Sequence, residues 1–325
     1  MRIFITGASG FVGGAIAKQL AVNHEVFAMA RSEKSAKKIT QLSATPIRCS
    51  LNHVTKENLK KCELIIHAAA YVEAWGTRKQ YWDINVEGTK QLIEIAKKAA
   101  VKKFIHISSE ATLFYGQSMD NIDETYPYPK NTPYLYSETK AEAERIVIRA
   151  NKTDGFETIV IRPRMIWGPG DQTILPELIK LINKGSFMWI NKGKAKTSIV
   201  HIYNLVYAIK LAIEKGKGGE IYFITDDEIV TFKSFLTKLL ATQGIVPPNK
   251  SIAGKISSLL ALILEKIWRI FHLKGEPPIT RFAADIMTVN CTINIAKAKR
   301  ELNYKPIISI EKGMQELEKM YKISP

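Results

Sequence analysis

Tyr136 and Lys140 are the two side chains of this 325-residue chain whose types and spacing best suit acid–base chemistry. Because they lie four residues apart, a helix places both on one face. A phenol has a reference pKa of about 10, and a neighbouring ammonium lowers that pKa by roughly 1–3 units because it favours the phenolate. The pair can therefore exchange a proton with a substrate. Surface packing also explains many such pairs, so the surrounding elements must decide.

The helix that carries this pair is expected to follow a loop, with Thr132 as its cap and Pro133 at its first position. Upstream, a strand predicted over Lys103–Ile107 ends in two serines, Ser108 and Ser109. These hydroxyls at a strand end give the pair of Tyr136 and Lys140 more weight than it has alone.

The start of the chain reads as a strand, a glycine-rich turn and a helix. Arg2–Thr6 is a short apolar run, Gly7, Gly10 and Gly13 follow at regular spacing, and Ala15–Leu20 favours a helix. In this order, backbone N–H groups and the positive end of the helix dipole point at one spot, which suits a pyrophosphate. Gly7 permits the turn, Gly10 admits the phosphates and Gly13 allows close packing, so the pattern predicts a dinucleotide site.

The second strand, predicted over Glu25–Ala30, indicates which dinucleotide the site prefers. An acidic residue at its end would bind the ribose 2′-hydroxyl of NAD, whereas a basic residue accommodates the 2′-phosphate of NADP. Here the strand runs into Arg31 and Ser32, with Lys34 just beyond. The sequence thus predicts a preference for NADP(H), with NAD(H) as the second choice; the alternative is that Arg31 is a plain surface charge.

Strands and helices continue to alternate along the chain. Strands are predicted over Ile47–Leu51, Glu63–His67 and Glu157–Arg162, and an amphipathic helix over Asp83–Ala100. This alternation predicts an α/β fold with a doubly wound parallel Rossmann sheet and a smaller C-terminal substrate lobe.

The turn Trp167–Asp171 is the point where we expect the chain to leave the nucleotide domain, and Ile199–Glu214 and Glu220–Ile224 indicate a return. The predicted NAD(P)-binding domain therefore comprises residues 1–168 and about 199–225. The predicted substrate-binding lobe comprises about 169–198 and 226–325.

Composition narrows the classes of protein. The net charge is +16, but the lysines are scattered and not interleaved with stacking aromatic residues, which argues against nucleic-acid binding. Three distant cysteines indicate a reducing, cytoplasmic location, and six separated histidines give no metal-ligand spacing. No apolar run approaches the roughly 20 residues that a membrane span needs.

Taken in order, the segments TGASGFVG, HAAA, INVEGT, HISSEA, YSETK and RPRMIWGPGD resemble extended short-chain dehydrogenases/reductases of the NAD-dependent epimerase/dehydratase superfamily. The resemblance covers nearly the whole chain. Within that superfamily, AAYVEAWG, IRPRMIWGPGD and GEPPITRF resemble the 3β-hydroxysteroid dehydrogenase branch. That branch also contains dihydroflavonol-reductase-like enzymes and bacterial reductases of 2-alkyl-3-keto acids.

The resemblance implies a catalytic set. Tyr136 would donate and accept the proton, while Lys140 would lower the pKa of Tyr136 and hold the nicotinamide ribose. Ser109, with Ser108 as the alternative, would hydrogen-bond the reacting oxygen. The resemblance also implies residues that bind the cofactor, and these add to the glycines and Arg31 already named. The predicted cofactor-binding residues are Gly7, Gly10, Phe11, Val12, Gly13, Arg31, Ser32, Leu51, Ala68, Ala69, Ala70, Asn85, Lys140 and Pro163.

Two positions depart from the pattern of the family. Where an acidic residue often meets the adenine after the third strand, this chain has Ser50 before Leu51. Where an acid is usual in the stretch HIYNL, it has Asn204, which we expect to weaken a structural hydrogen bond.

The predicted function is an NADP(H)-dependent oxidoreductase that interconverts a secondary alcohol and a ketone. The expected substrate is hydrophobic, of the 3β-hydroxysteroid, sterol or 3-keto acid type. The alternatives are a nucleotide-sugar epimerase or dehydratase with bound NAD, and a non-catalytic dinucleotide-binding regulator. A homodimer is left open.

Residues 256–273 form a further amphipathic segment, with a predicted apolar side and a polar side. The apolar side comprises Ile256, Leu260, Ile263, Ile267 and Phe271, widened by Leu259, Leu264 and Trp268; the polar side comprises Ser258, Glu265, Arg269 and His272. Three alternatives follow: the helix packs on the substrate lobe, part of its apolar side roofs a hydrophobic substrate pocket, or the helix lies on a membrane surface as a peripheral contact.

Overall fold

The computed structural model of the chain describes residues 1–152 and 155–323. Its strands are β1 (Arg2–Thr6), β2 (Glu25–Ala30), β3 (Thr45–Arg48), β4 (Leu64–His67), β5 (Lys103–Ile107), β6 (Met119–Ile122), β7 (Glu157–Pro163), β8 (Ile166–Trp167), β9 (Trp189–Ile190), β10 (Lys196–Ser198), β11 (Val200–His201), β12 (Ile221–Ile224), β13 (Ile229–Thr231), β14 (Ser251–Ile252) and β15 (Cys291–Ile293). Its α-helices are α1 (Phe11–Leu20), α2 (Glu33–Thr40), α3 (Arg78–Trp82), α4 (Gly88–Lys98), α5 (Leu135–Arg149), α6 (Ile174–Asn183), α7 (Ile202–Lys215), α8 (Phe232–Ala241), α9 (Gly254–Ile270), α10 (Arg281–Ile286), α11 (Ala296–Leu302) and α12 (Ile310–Ile323).

A seven-stranded parallel sheet in the order β12-β7-β5-β4-β1-β2-β3 forms the centre of the molecule. Strand β1 pairs with β2 on one side and with β4 on the other, so the strand order reverses there. Ile3 and Ile5 pack in the apolar cluster that includes α1 and α7, while Phe4 packs in the cluster that includes α4. Because both faces are covered, β1 is an almost continuous apolar run. The predicted doubly wound parallel α/β sheet is confirmed.

A smaller sheet has the order β13-β10-β15-β6 and joins distant parts of the chain, since Met119 of β6 pairs with Cys291 of β15. The division into an NAD(P)-binding domain and a substrate lobe stays a prediction. Strand β6, which that prediction assigned to the NAD(P)-binding part, lies in this small sheet.

The predicted third strand over Ile47–Leu51 is wrong in its bounds, because β3 spans Thr45–Arg48. Pro46 lies inside this strand and is tolerated there because β3 is the outermost strand of the large sheet. Leu51 instead begins a short 3₁₀ turn, and its side chain is buried against Gly88.

The predicted helix over Asp83–Ala100 is likewise wrong at both ends. The helical segment begins with α3, where Thr77 and Gln80 form a capping box. A π-helical turn over Asp83–Glu87 then leads into α4. The Thr-x-x-Gln pattern from Thr77 to Gln80 is the signal in the sequence for this earlier start.

The predicted cap of α5 is also wrong. The Thr132 hydroxyl donates to the carbonyl oxygen of Phe114 at 2.9 Å instead of capping a helix. Helix α5 begins two residues after Pro133, at Leu135, without a side-chain cap.

Helix α9 turns the side predicted to be apolar away from the protein. The five residues that define this side have exposed fractions between 36% and 68%. The opposite side packs inward: Ser257 and Ala261 are buried, and Glu265 accepts a hydrogen bond from the Arg281 N–H at 2.7 Å. The helix therefore packs on α10 through its opposite side and not through its apolar side. A roof over a substrate pocket, formed by part of the apolar side, stays a prediction. Within the described ranges, none of the helices has the length and apolarity that crossing a bilayer requires.

The side chain of Asn204 is fully hydrogen-bonded. Its Nδ2 donates to Asp226 Oδ1 at 2.7 Å and to the Ile308 carbonyl at 2.8 Å, and its Oδ1 accepts from the N–H groups of Ile307 and Ile308. The expected weakening of a structural hydrogen bond at this position is therefore wrong, because an amide can donate and accept at once.

Candidate active site

The glycine turn between β1 and α1 brings backbone segments into close contact. Gly7 has φ +77°, and a Cβ there would lie 2.8 Å from the carbonyl carbon of Ala68. A Cβ at Gly13 would lie 2.3 Å from the Gly7 carbonyl oxygen, so only glycine fits at either position. Gly10 is exposed at the start of α1, and no side chain caps this helix. The N–H groups of the first turn of α1 are therefore free to bind an anion. This cradle fits the pyrophosphate of a dinucleotide.

Two half-buried residues continue from the cradle into the first turn of α1, Phe11 and Val12. The ring of Phe11 faces Gly170, where a Cβ would lie 3.6 Å from Cδ2 of that ring. The turn that follows β8 therefore lies against the start of α1.

The two serines after β5 point to different partners. Ser108 is buried and its hydroxyl donates to the carboxylate of Glu144. The Ser109 hydroxyl donates to Glu110 Oε2 at 2.7 Å and accepts from the Ala111 N–H at 3.1 Å. Of the two serines, Ser109 is the one that shifts the pKa of the Tyr136 phenol.

Tyr136 lies on the first turn of α5, half-buried, with the ring of Phe282 at 5.7 Å in an edge-on arrangement. Burial raises the pKa of its phenol and the Glu110 carboxylate raises that pKa further, whereas the neighbouring Ser109 hydroxyl lowers it. The net direction is opposite to the predicted lowering of this pKa by Lys140.

Lys140 is buried behind Tyr136 at the end of β5. Its Nζ donates to the Ile107 carbonyl oxygen at 2.8 Å and lies 3.3 Å from His106 Nε2. Burial lowers the pKa of Lys140 to about 8, and the carboxylate of Glu144 opposes this shift. Burial, followed by the charge of Lys140, lowers the pKa of His106 well below its usual value, so the imidazole is neutral and can accept from the ammonium.

Asn85, in the π-helical turn, joins the loop after β4 to helix α5. Its Oδ1 accepts from the Tyr71 N–H at 2.7 Å, and its Nδ2 donates to the Tyr71 carbonyl and to Thr139 Oγ1 at 3.1 Å. The same loop contains the half-buried residues Ala68, Ala69 and Ala70, and the Ala69 N–H donates to Thr6. Asn85 thus fixes a backbone segment that lies beside the glycine turn.

The remaining residues of the predicted cofactor set differ in exposure. Arg31 and Ser32 are exposed after β2, and Ser32 caps α2 by accepting from the Ser35 N–H. Pro163 is buried at the end of β7, where it pairs with Ile224 of β12. Leu51 is buried in the core, so that only its backbone is available to a ligand.

Two buried ion pairs adjoin the site and were not singled out from the sequence. Arg164 pairs with Glu110, and its Nε donates to Thr197 at 2.9 Å. Arg162 pairs with Glu144, and the side chains of both are at most 1% exposed. Two arginines flanking Pro163 at the end of an apolar strand were the available signal, because charged residues are rarely buried unless paired.

The sequence profile of the 3-beta hydroxysteroid dehydrogenase/isomerase family matches residues 4–253. A Stigmatella aurantiaca protein named 4-hydroxy-2-methyl-3-oxo-4-farnesyl-3,4-dihydroquinoline-1-oxide ketoreductase is 38% identical over 98% of this chain and 96% of its own length. The decarboxylating sterol-4-alpha-carboxylate 3-dehydrogenase of Dictyostelium discoideum is 36% identical over 97% of this chain and 99% of its own. A 2-alkyl-3-oxoalkanoate reductase of Shewanella oneidensis is 28% identical over 97% of this chain and 84% of its own.

Among solved structures, UDP-glucuronic acid 4-epimerase from Bacillus cereus in complex with NAD aligns with a TM-score of 0.77 and 19% identity over 99% of this chain and 100% of that one. The dTDP-glucose 4,6-dehydratase from Bacillus anthracis, also with NAD, aligns with a TM-score of 0.74 and 20% identity over 100% of this chain and 97% of that one. At such identities these likenesses describe the fold alone.

Proposed function

The chain belongs to the 3-beta hydroxysteroid dehydrogenase/isomerase family, and from this premise we propose that it is an NADP(H)-dependent oxidoreductase that interconverts a secondary alcohol and a ketone on a hydrophobic substrate. Relatives named for sterol 3-dehydrogenation and for 3-oxoalkanoate reduction support a substrate of the sterol or 3-keto acid type. The observation that carries the proposal is that α5 holds Tyr136 and buried Lys140 against the end of β5, where Lys140 Nζ donates to the Ile107 carbonyl oxygen at 2.8 Å and Ser109 follows two residues later.

Tyr136 exchanges the proton with the substrate oxygen, and Ser109 orients that oxygen. The Ser109 hydroxyl donates its one hydrogen to Glu110 and accepts from the Ala111 N–H at 3.1 Å. It must therefore turn away from Glu110 to donate to a substrate oxygen. The ion pair with Arg164 keeps Glu110 in place while this happens.

A nicotinamide dinucleotide fits the cradle of Gly7, Gly10 and Gly13, and when bound it supplies hydride exchange with the substrate carbon. Lys140 holds the ribose next to the nicotinamide through its ammonium group. Its charge is present below pH about 8, given the pKa that burial imposes.

The test is to incubate the purified protein and Tyr136→Phe with NADPH and a panel of 3-ketosteroids, 3-keto acids and nucleotide sugars, and to follow NADPH oxidation and product formation. We expect turnover of a hydrophobic ketone by the unchanged protein only. Turnover of nucleotide sugars without net NADPH oxidation, or equal rates in both proteins, would overturn the proposal.

The preference for NADP(H) is supported by Arg31, which is exposed at the end of β2. The nearby acid Glu33 pairs with another residue, since its Oε2 lies 3.6 Å from Arg48 Nη1. A hydrogen bond between charged groups contributes about 1.5–3 kcal/mol, so Arg31→Ala should weaken NADPH binding about 10- to 150-fold and leave NADH binding little changed. Lys37→Ala, further along α2, is the matched control. Tighter binding of NADH than of NADPH by the unchanged protein contradicts this preference.

A cytoplasmic location is supported by three cysteines that are all free, Cys49, Cys62 and Cys291. Peripheral membrane contact through residues 256–273 is supported by the exposed apolar side of α9. A homodimer stays a prediction.

A further inference from the structure

Residues 256–273 expose a continuous apolar surface, which we call the α9 stripe. Each residue of an α-helix is rotated by about 100° about the helix axis. The stripe residues between 256 and 271 therefore fall within an arc of about 120° around that axis. The stripe consists of Ile256, Leu259, Leu260, Ile263, Ile267, Ile270, Phe271 and Leu273. Single exposed apolar residues are normal on a protein surface, but a contiguous apolar patch marks an interaction site.

The exposed charges along the α9 stripe itself are of one sign, and the nearest exposed acid further along the chain is Glu276. Over residues 255–274, all of which the structure describes, every exposed charged side chain is basic: Lys255, Lys266, Arg269 and Lys274. The one acid of this segment, Glu265, is turned inward and pairs with Arg281 at 3.0 Å. An apolar stripe bordered by lysine and arginine is the pattern of a helix that lies in a membrane interface.

We propose that the α9 stripe docks on the surface of a bilayer that contains anionic lipid. A second copy of the chain is the competing occupant, but a twofold contact would set the basic borders of two stripes against each other. Anionic headgroups instead neutralise Lys255, Lys266, Arg269 and Lys274, and the acyl region takes up the apolar side chains.

The helix that carries the stripe also contacts the walls of the candidate active site. The Arg269 guanidinium lies 4.5 Å from the ring centre of Trp75, in the loop that Asn85 holds. Glu265 holds Arg281 at the start of α10, and the next residue, Phe282, packs on the ring of Tyr136. Docking therefore brings the site to the lipid surface, where a hydrophobic substrate reaches it without crossing water. This second step rests on the proposed function.

Docking is tested by cosedimentation of the full chain with phosphatidylcholine vesicles that contain phosphatidylglycerol or lack it, at low and high salt. Binding to the anionic vesicles should fall as salt rises. Ile263→Ser and Phe271→Ser should each weaken it about tenfold or more, and Lys266→Gln about fivefold on anionic vesicles only. Val22→Ser, at a 75% exposed apolar residue between α1 and β2, is the control that should bind like the unchanged protein.

Three outcomes overturn docking. The first is equal binding by Ile263→Ser, Phe271→Ser and Val22→Ser, and the second is no binding to anionic vesicles at all. The third is a dimer, measured by sedimentation equilibrium, that Ile263→Ser converts to a monomer, since the occupant of the stripe would then be a second copy.

Delivery of substrate is tested separately from docking and from the reaction. Ile263→Ser should lose about tenfold in kcat/KM for a 3-ketosteroid presented in anionic vesicles, in proportion to its lost binding, but keep the rate for a short water-soluble 3-oxo ester. An equal loss on both substrates overturns delivery. If the unchanged protein reduces neither substrate yet still binds vesicles, the proposed function fails and docking stands.

Discussion

Polar and charged side chains usually face solvent and apolar side chains are usually buried, and helices α5 and α9 break this rule in opposite ways. Helix α5 buries Thr139, Lys140 and Glu144, whose exposed fractions are at most 2%. Helix α9 exposes large apolar side chains such as Ile263 and Phe271, the latter just past its end, while it buries Ser257. A buried charge and an exposed apolar patch are the two observations that carry information about function, because a buried charge costs folding free energy and an exposed apolar patch forgoes the stabilisation that burial would give.

The difference lies in where the partners are. On α5 they belong to the same molecule: Glu144 pairs with Arg162, Lys140 donates to the Ile107 carbonyl, and the Thr139 hydroxyl donates to the Leu135 carbonyl. The stripe of α9 has its apolar side chains in solvent. Buried polar and charged groups that have partners within the chain are held in place for chemistry. Apolar groups that are exposed to solvent indicate a partner outside the chain.

The strongest test of the α5 side of this comparison removes one hydroxyl. Tyr136→Phe should lower kcat about a thousandfold, because the ring still packs but the exchangeable proton is lost, while the Kd for NADPH stays within about twofold. Tyr134→Phe is the matched control: it loses a hydrogen bond to Asp285 but no proposed chemistry. Comparable kcat values for the two variants in steady-state kinetics would remove Tyr136 from the proposed mechanism.

The second test concerns the internal partners of α5. Glu144→Gln leaves Arg162 buried without its counter-charge and should lower the free energy of unfolding by about 3–5 kcal/mol. Glu138→Gln, on the same helix, breaks the exposed pair with Arg78 and should cost only about 0–1 kcal/mol. Urea unfolding measures both, and equal losses would mean that burial does not set the difference.

The third test uses pH. Because burial lowers the pKa of Lys140 to about 8, its ammonium loses its proton as the pH rises through that value. Affinity for NADPH should therefore fall above pH about 8, and Lys140→Met should weaken it about tenfold at pH 7 and abolish this inflection. The measurement is a fluorescence titration of NADPH binding at pH values from 6 to 10. An unchanged inflection in Lys140→Met would mean that another group causes the pH dependence.

The smallest effects test the orientation of α9. Ala261→Leu, on the inward side, should lower the free energy of unfolding by about 1–3 kcal/mol because it overpacks a fully buried position. Ile263→Ser, on the outward side, should change it by no more than about 0.5 kcal/mol. The reverse order of the two effects in urea unfolding would mean that the apolar side packs on the protein after all.

Local patterns in the sequence determined the elements whose neighbours are close along the chain. The run Arg2–Thr6 with its glycines predicts the β1 strand and the turn, and the spacing of Tyr136 and Lys140 predicts a shared helix. These predictions rest on covalent geometry and on near neighbours, which the sequence contains. Boundaries such as those of β3 and α4 were missed, because an edge position and a π-helical turn depend on tertiary neighbours.

Only the tertiary structure decided which groups meet across long separations. Adjacent serines are equivalent in sequence, yet the Ser108 hydroxyl donates to Glu144 and the Ser109 hydroxyl donates to Glu110, because the backbone after β5 points them apart. The 3.6-residue period of α9 showed that one side is apolar. It could not show which side faces the protein, because that depends on whether the rest of the chain supplies a surface to cover it.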